Sequence, residues 1–447
     1  MAGVDPDTNV RFDQVNDEIL RTLGPPPRSF WVIIGFLLIG VMLWPIPWGY
    51  QIATGMGSAG YRPSVMWILY IVNFVYWIAI GHSGTFISAI LYLFRARFRT
   101  PISRATEAMT IFSVFIAAMF PFVHLGRVWI FYWILPYPNH RTIWPDFQSP
   151  LIFDLLAVST YFTVSLVFWY SGLVPDIAAI RDRVRGLKRK IYGYFSLGWS
   201  GTDRQWHHYS TSILLMAGLA TPLVISVHSV VSWDFALAII PGYHSTIFPP
   251  YFVAGAIHQG IAMVLVLLVP LRKIFRVKNI ITDRTLDLLA QTDLLFALVI
   301  SYTYLTEHFM AEYSGNIFER QQFMFRMVGW YSPEYWIMTI LNAIVPLVFF
   351  IRRCRYSPFW LMTVGVAVLI GMYLERFIII IGSMSQDFLP YQWGFYWPGW
   401  LESCITFGSF CLFFLLFALF AKFLPSISIA EVKEALKPMR GKKEPTL

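Results

Sequence analysis

The chain has 447 residues, of which 57% are hydrophobic, 18% aromatic and only 13% charged, with a mean hydropathy of +0.58. A soluble domain carries about 25% charged residues, so this apolar excess is too large for soluble cores; 29 Gly, 27 Pro and 3 Cys exclude collagen-like, disordered and disulfide-rich classes. The composition is that of an all-α polytopic membrane protein, and its formal charge of +9 has to be judged by where the basic residues sit.

Residues 1–29 are polar, with Asp5, Asp7, Asp13, Asp17 and Glu18, and end in Gly24-Pro25-Pro26-Pro27. They are read as a cytoplasmic tail without a cleavable signal peptide. Beyond them, ten segments have the length and apolarity to cross ~30 Å of hydrocarbon as helices. They lie at roughly 30–50, 65–94, 106–134, 150–174, 209–232, 249–270, 285–310, 333–351, 357–382 and 399–421. None alternates with period two as a barrel strand does.

Of the 34 Lys and Arg, 28 fall in the N-terminal tail, the loops 95–104, 175–206, 271–284 and 352–356, and the C-terminal tail; only 4 fall in the opposite loops. This asymmetry predicts an even number of spans with both termini cytoplasmic. Arg181, Arg183, Arg185, Lys188, Arg189 and Lys190 are expected to form a helix on anionic headgroups, not a nucleic-acid site.

A weak repeat runs through the chain. Leu91 to Arg99, followed by Arg104-Ala-Thr-Glu107, parallels Leu268 to Arg276, followed by Arg284-Thr-Leu-Asp287; Ser149-Pro150 and Ser332-Pro333 open spans four and eight. Basic loops resemble one another in any case; the alternative is two related four-helix bundles, spans two to five and six to nine, flanked by spans one and ten. The corresponding division is 1–29 tail, 30–64 first span and outer loop, 65–232 first bundle, 233–382 second bundle, 383–421 outer loop and tenth span, and 422–447 cytoplasmic tail.

Ionisable groups at bilayer depth cost at least ~2.5–3.5 kcal/mol each and are candidates for function. In chain order they are His82, His124, Arg127, Asp154, His228, His258, Asp293, Glu307, His308, Glu375, Arg376 and Glu402. By the alternation of spans, all but His82 and Asp293 fall toward the outer surface. His124 and Arg127 share a helix face, and Asp154 enters on the next helix. A His and an Asp with outside access suit the removal of two protons from a hydroquinone as its electrons leave. Arg127 then holds Asp154 ionised or binds a quinone oxygen; the plainer alternative is an Arg127–Asp154 pair locking spans three and four. Residue counting puts His124 deeper than Asp154 unless span three ends early.

Glu375 and Arg376 are adjacent and point about 100° apart, so each is expected to find another partner, in helix-locking pairs or along a proton route through the second bundle. His82, within Gly81-His82-Ser83-Gly84-Thr85, is read equally as a packing histidine or a functional one. His228 and His258 are expected to be ordinary interfacial residues. There is no C-x-x-C-H motif and no Cys cluster for iron–sulfur, and Cys404 and Cys411 are spaced for packing. A single b-type haem on the outer histidines stays open as an alternative.

Val72-Asn-Phe-Val-Tyr-Trp-Ile-Ala-Ile-Gly-His82-Ser-Gly-Thr85, Phe120-Pro-Phe-Val-His124-Leu-Gly-Arg127 and Pro136-Tyr-Pro-Asn-His-Arg141 resemble the NrfD/PsrC-like family of quinone-interacting membrane subunits. With Ser149-Pro-Leu-Ile-Phe-Asp154 and ten spans, the layout looks most like the ActC-type large membrane subunit of alternative complex III. The resemblance implies two four-helix bundles and a quinol site, with menaquinol as substrate, near the periplasmic surface. It implies no metal or haem on this chain. The implied partners are a periplasmic iron–sulfur subunit that takes the electrons, c-type haem subunits, and a second related membrane subunit. Carried over by motif, His124 and Asp154 are the quinol-site His and Asp. Arg127 is added by geometry, and Asp234 because it sits at the outer end of span five. His82, Asp293, Glu307, His308, Glu375 and Arg376 are candidates for proton movement. The rivals are a secondary transporter and a haem-b anchor subunit. The aromatic outer residues Trp144, Tyr243, Phe248, Tyr251, Trp330, Tyr391, Trp393, Trp397 and Trp400 form either a partner-docking surface or an ordinary interfacial belt.

Overall fold

The computed structural model describes residues 14–135 and 149–436. The Pro136–Arg141 motif, Trp144 and the acidic residues Asp5, Asp7 and Asp13 lie outside the described residues. Within them, ten helices are long and apolar enough to cross a membrane, and no strand is present. Spans one to five are Arg28–Thr54, Leu69–Leu93, Ser103–His124, Pro150–Arg181 and Asp203–Ala236. Spans six to ten are Phe248–Ile274, Asp283–Tyr313, Ser332–Phe350, Pro358–Ser385 and Trp400–Phe423. The chain is a multi-pass integral membrane protein. Its helix ends divide into a basic end, where spans two, four, six and eight finish, and an opposite far end.

Span three stops at His124, short of the 134 expected from hydropathy. Gly126 adopts φ +71°, a left-handed conformation that favours glycine and ends helices, and a 3-10 turn over Val128–Ile134 carries the apolar run onward. At the basic end the reverse occurs: spans four and five extend beyond their apolar stretches to Arg181 and from Asp203. The basic segment between them is not one helix, because Gly186 at φ +66° separates span four from a short amphipathic helix, Leu187–Phe195.

Spans two to five pack in order around one another, with five returning to two, and spans six to nine close a second ring in the same way. The rings meet where span two touches spans six and nine and span five touches span six; spans one and ten pair and lie against span three. Spans two and six are accordingly 83% buried, whereas span one is 17% buried. Small residues allow the close crossings. A Cβ on Gly84 would overlap the Thr106 carbonyl of span three, and one on Gly260 would overlap Ser83 Oγ of span two.

The repeat is visible in the backbone, in a register shifted from the sequence alignment. Span two ends at Phe94-Arg95 and span six at Phe275-Arg276, with the arginines at φ 54° and 55°. Arg95, not Arg99, thus occupies the position of Arg276. Spans three and seven then begin at Ser103 and Asp283, which places Arg104 and Glu107 opposite Arg284 and Asp287.

At the basic end of the first bundle Arg104 is 1% exposed. It bonds Glu107 at 2.7 Å, Asp176 at 3.5 Å and the Gly172 carbonyl at 2.8 Å. The C-terminal helix, Ile429–Leu436, docks over this cluster: Asp176 accepts the Ile429 N–H at 3.1 Å, and Glu431 pairs with Arg99 at 3.1 Å and accepts from Ser103 at 2.8 Å.

Candidate functional site

Three groups of buried polar side chains lie along the molecule, and they differ in how completely they satisfy one another.

At the far end of the first bundle, Asp154 sits in the first turns of span four and Asp234 in the last turn of span five; they are 6% and 9% exposed. Their carboxyl groups are close neighbours across the two spans. Both oxygens of Asp154 and Oδ1 of Asp234 have no hydrogen-bond partner among the described residues. Two ionised carboxylates are acceptors only and repel, so this geometry requires one shared proton or an outside donor. Arg127 supplies neither. It stands past the end of span three, exposed, and forms no ion pair with Asp154 among the described residues. The Arg127–Asp154 lock expected from spacing is absent because Gly126 turns the chain before Arg127 can lie along the helix.

His124 closes span three at the same end. Its Nδ1 is 2.9 Å from the hydroxyl of Tyr61, in the loop before span two, and the two rings are 5.8 Å apart. Burial, reinforced by the nearby Glu402 charge, raises the Tyr61 phenol above its ordinary value, so the hydroxyl stays neutral; it donates to the His124 carbonyl at 3.4 Å and its oxygen can accept from Nδ1–H. Behind it, Gln51 donates to the Val123 carbonyl at 3.1 Å and accepts from Tyr70 at 2.5 Å. Glu402 accepts the Gly60 N–H at 2.7 Å and leaves its Oε2 unpartnered. Tyr61, Gln51 and Tyr70 were not legible as site residues, because a search for charged groups in spans passes over neutral hydroxyls and amides. Gln51 is the one signal available: an amide in an otherwise apolar segment.

At the seam between the bundles, His82 and His228 face each other with ring centroids 5.2 Å apart. His228 is fully buried with neither nitrogen bonded, not interfacial as expected. His258 Nδ1 is 2.9 Å from Asp293 Oδ1, both fully buried, so His258 likewise is not interfacial but pairs spans six and seven.

In the second bundle, Arg376 bonds Glu375 at 2.8 Å, and both are fully buried. The expectation that each finds another partner holds for Glu375, which Tyr304 and Asn342 reach, but the two neighbours also bond each other. A hundred degrees separates their Cβ directions, but the long guanidinium arm folds back onto its neighbour's carboxylate. Arg376 also lies 4.5 Å over the Phe252 ring. Tyr304 donates to Glu375, and Asn342 donates to Tyr304 at 2.9 Å and to Glu375 at 3.4 Å. Asn342 lies within a π-helical turn, Ile340–Ile344, and a second, Ile378–Gly382, follows Arg376; such bulges re-aim side chains inside a helix. His308 Nε2 meets the Tyr335 hydroxyl. Glu307, Tyr304, His308 and Arg326 line a narrow cavity with room for about one water.

Of the aromatic far-end residues, Tyr243, Phe248 and Tyr251 are buried within the helices and unavailable for docking, while Trp330, Tyr391, Trp397 and Trp400 are exposed.

A profile of the family described as "Polysulphide reductase, NrfD" matches residues 57–386, a stretch that holds all three groups apart from Gln51 and Glu402. A putative dimethyl sulfoxide reductase membrane subunit of Halobacterium salinarum is 26% identical over 252 residues, 56% of this chain and 52% of its own length; the match thus spans about half of that relative. A selenate reductase subunit of Mesobacillus selenatarsenatis is 22% identical over 368 residues, 79% of this chain and 82% of its own. The Hdr-like menaquinol oxidoreductase integral membrane subunit of Archaeoglobus fulgidus is 22% identical over 359 residues, 77% of this chain and 78% of its own.

Proposed function

Because this chain belongs to the NrfD polysulphide reductase family, we propose that it is the quinol-oxidising membrane subunit of an oxidoreductase complex, with its quinol site at the far end of the first bundle. The observation that carries this is the Asp154–Asp234 pair, two neighbouring buried carboxyls with no cation on them among the described residues, at the same end of the bundle as the His124–Tyr61 pair. The menaquinol oxidoreductase named among the relatives supports menaquinol as the substrate class.

A quinol gives up two protons and two electrons in becoming a quinone. On this proposal one quinol hydroxyl bonds His124 Nε2, which takes the first proton, while the Tyr61 oxygen accepts from Nδ1–H and fixes the ring's orientation. The second hydroxyl bonds the acid pair, where the carboxyl without the shared proton takes the second. Arg127, at the surface beyond His124, is a cation at the mouth of the site. The electrons pass to an iron–sulfur subunit docked against the exposed far-end aromatics, in an assembly of the alternative complex III type with c-type haem subunits and a second related membrane subunit. The chain itself holds no redox metal in this scheme. The basic end faces the cytoplasm of a bacterial cell, so both termini are cytoplasmic and protons leave on the periplasmic side. The 65–232 and 233–382 halves act as separate units, with Asp293, Glu307, His308, Glu375 and Arg376 available for proton movement in the second.

His124→Ala and Asp154→Asn in the assembled complex test the proposal. Quinol oxidation is expected to be lost in both while the partner subunits still co-purify. Turnover that persists in both places the site elsewhere.

A further inference from the structure

The basic end of the second bundle carries an open pocket of about 740 Å³. We propose that it binds the headgroup of an anionic phospholipid from the leaflet at that end. The pocket lies between the loop joining spans six and seven and the loop joining spans eight and nine, and four cations, Arg272, Lys278, Arg284 and Arg352, line it. The carboxylates that face them are already engaged. Asp283 bonds Arg272 at 2.6 Å, Asp287 bonds Arg355 at 2.5 Å, and Glu18 of the N-terminal helix accepts from Asn279 at 3.2 Å. Lys278 and Arg352 have no ion pair among the described residues; Arg352 only lies 5.6 Å over the Tyr356 ring. Arg272 is 8% exposed, and its Nε has no hydrogen-bond partner. Two cations without an ion pair among the described residues, Lys278 and Arg352, beside a polar opening make a site for an anion.

The internal repeat shows what this place accepts. In the first bundle the corresponding loop, before Arg104 and Glu107, is covered by the chain's own C-terminal helix, which sets the Glu431 carboxylate on Arg99 and Ser103. At the loop before Arg284 and Asp287 the N-terminal helix sets its Glu18 carboxylate on the Asn279 amide. In the second bundle Lys278 and Arg352 are thus left without an ion pair among the described residues.

A lipid phosphate is favoured over a soluble one by what surrounds the opening. Ile274 at the end of span six, Phe350 and Ile351 at the end of span eight and Phe359 at the start of span nine are 68%, 62%, 56% and 69% exposed. They form an apolar border at the level where acyl chains meet headgroups, and basic pockets between spans at this level suit anionic headgroups.

The test uses the complete protein in nanodiscs of phosphatidylcholine alone or with phosphatidylglycerol. Bound lipid is read by native mass spectrometry and thermal stability by its midpoint. Phosphatidylglycerol is expected to be retained and to raise the midpoint. Lys278→Ala with Arg352→Ala is expected to weaken retention about thirtyfold, at the strength of two headgroup cations, while Arg189→Ala with Lys190→Ala on the amphipathic helix changes it little. Unchanged retention in the first pair overturns the proposal, as does equal loss in both pairs, which means diffuse charge and no pocket. A midpoint rise produced by inorganic phosphate in neutral nanodiscs also overturns it, in favour of a soluble anion.

Discussion

The far-end acids of the two bundles stand in opposite conditions. Glu375, in the second bundle, has an arginine, a tyrosine and an asparagine on its carboxylate. Asp154, in the first, has only another carboxyl beside it among the described residues. A buried charge that is fully partnered fixes structure; a buried acid left one donor short responds to whatever supplies that donor. The same fold thus holds one acid as a lock and the other as a site that a quinol's hydroxyls can complete.

Removing the lock on one side should show this most plainly. Glu375→Ala strands the Arg376 guanidinium in the core and is expected to lower stability by about 3–5 kcal/mol, read as a fall in thermal midpoint of the purified protein. Adding Arg376→Met should recover most of it. A single variant as stable as the parent would mean that Arg376 is not held by Glu375.

Next in size is the acid pair, where the expectation inverts. Asp154→Asn and Asp234→Asn replace a repelling acceptor with a donor, so stability should change by less than about 1 kcal/mol while quinol turnover falls about a hundredfold or more. A large loss of stability with turnover per folded molecule retained would make the pair a structural lock like Glu375 and erase the contrast.

Tyr61→Phe should cost less, about 1 kcal/mol and thus a severalfold fall in turnover, because His124 keeps its place and loses one hydrogen bond. Burial and Glu402 raise the Tyr61 phenol, so it remains protonated across the working range. Tyr61→Phe should therefore leave the alkaline limb of the pH–rate profile where it was. A limb that moves would make Tyr61 a proton carrier and not a positioning residue.

The architecture was legible because hydrocarbon imposes its length on every span, and the loops at 271–284 and 352–356 advertise their side in charge. Helix ends were less so. Gly126 stops span three at His124 inside a continuous apolar run, and Gly186 splits a basic stretch that composition alone reads as one helix. In the site, His124 and Asp154 stood out as costly residues in apolar surroundings, and Asp234 by its place at a helix end. What stayed hidden were relations between distant segments. Tyr61 reaches His124 from a loop, Asn342 reaches Glu375 through a π turn, and His258 meets Asp293 across two spans. No spacing within one helix encodes those meetings, and the Glu375–Arg376 bond forms against the helical spacing.

The central claim is that the quinol sits on the first bundle's unsatisfied acids, and a photoreactive menaquinone analogue tests it most directly. Cross-linked to the assembled complex and mapped by mass spectrometry, it should label the segments around Tyr61, His124 and Asp154, with labelling lost on competition by menaquinol. Competed labelling confined to the second bundle, around Tyr304, Glu307 and Glu375, would contradict the account.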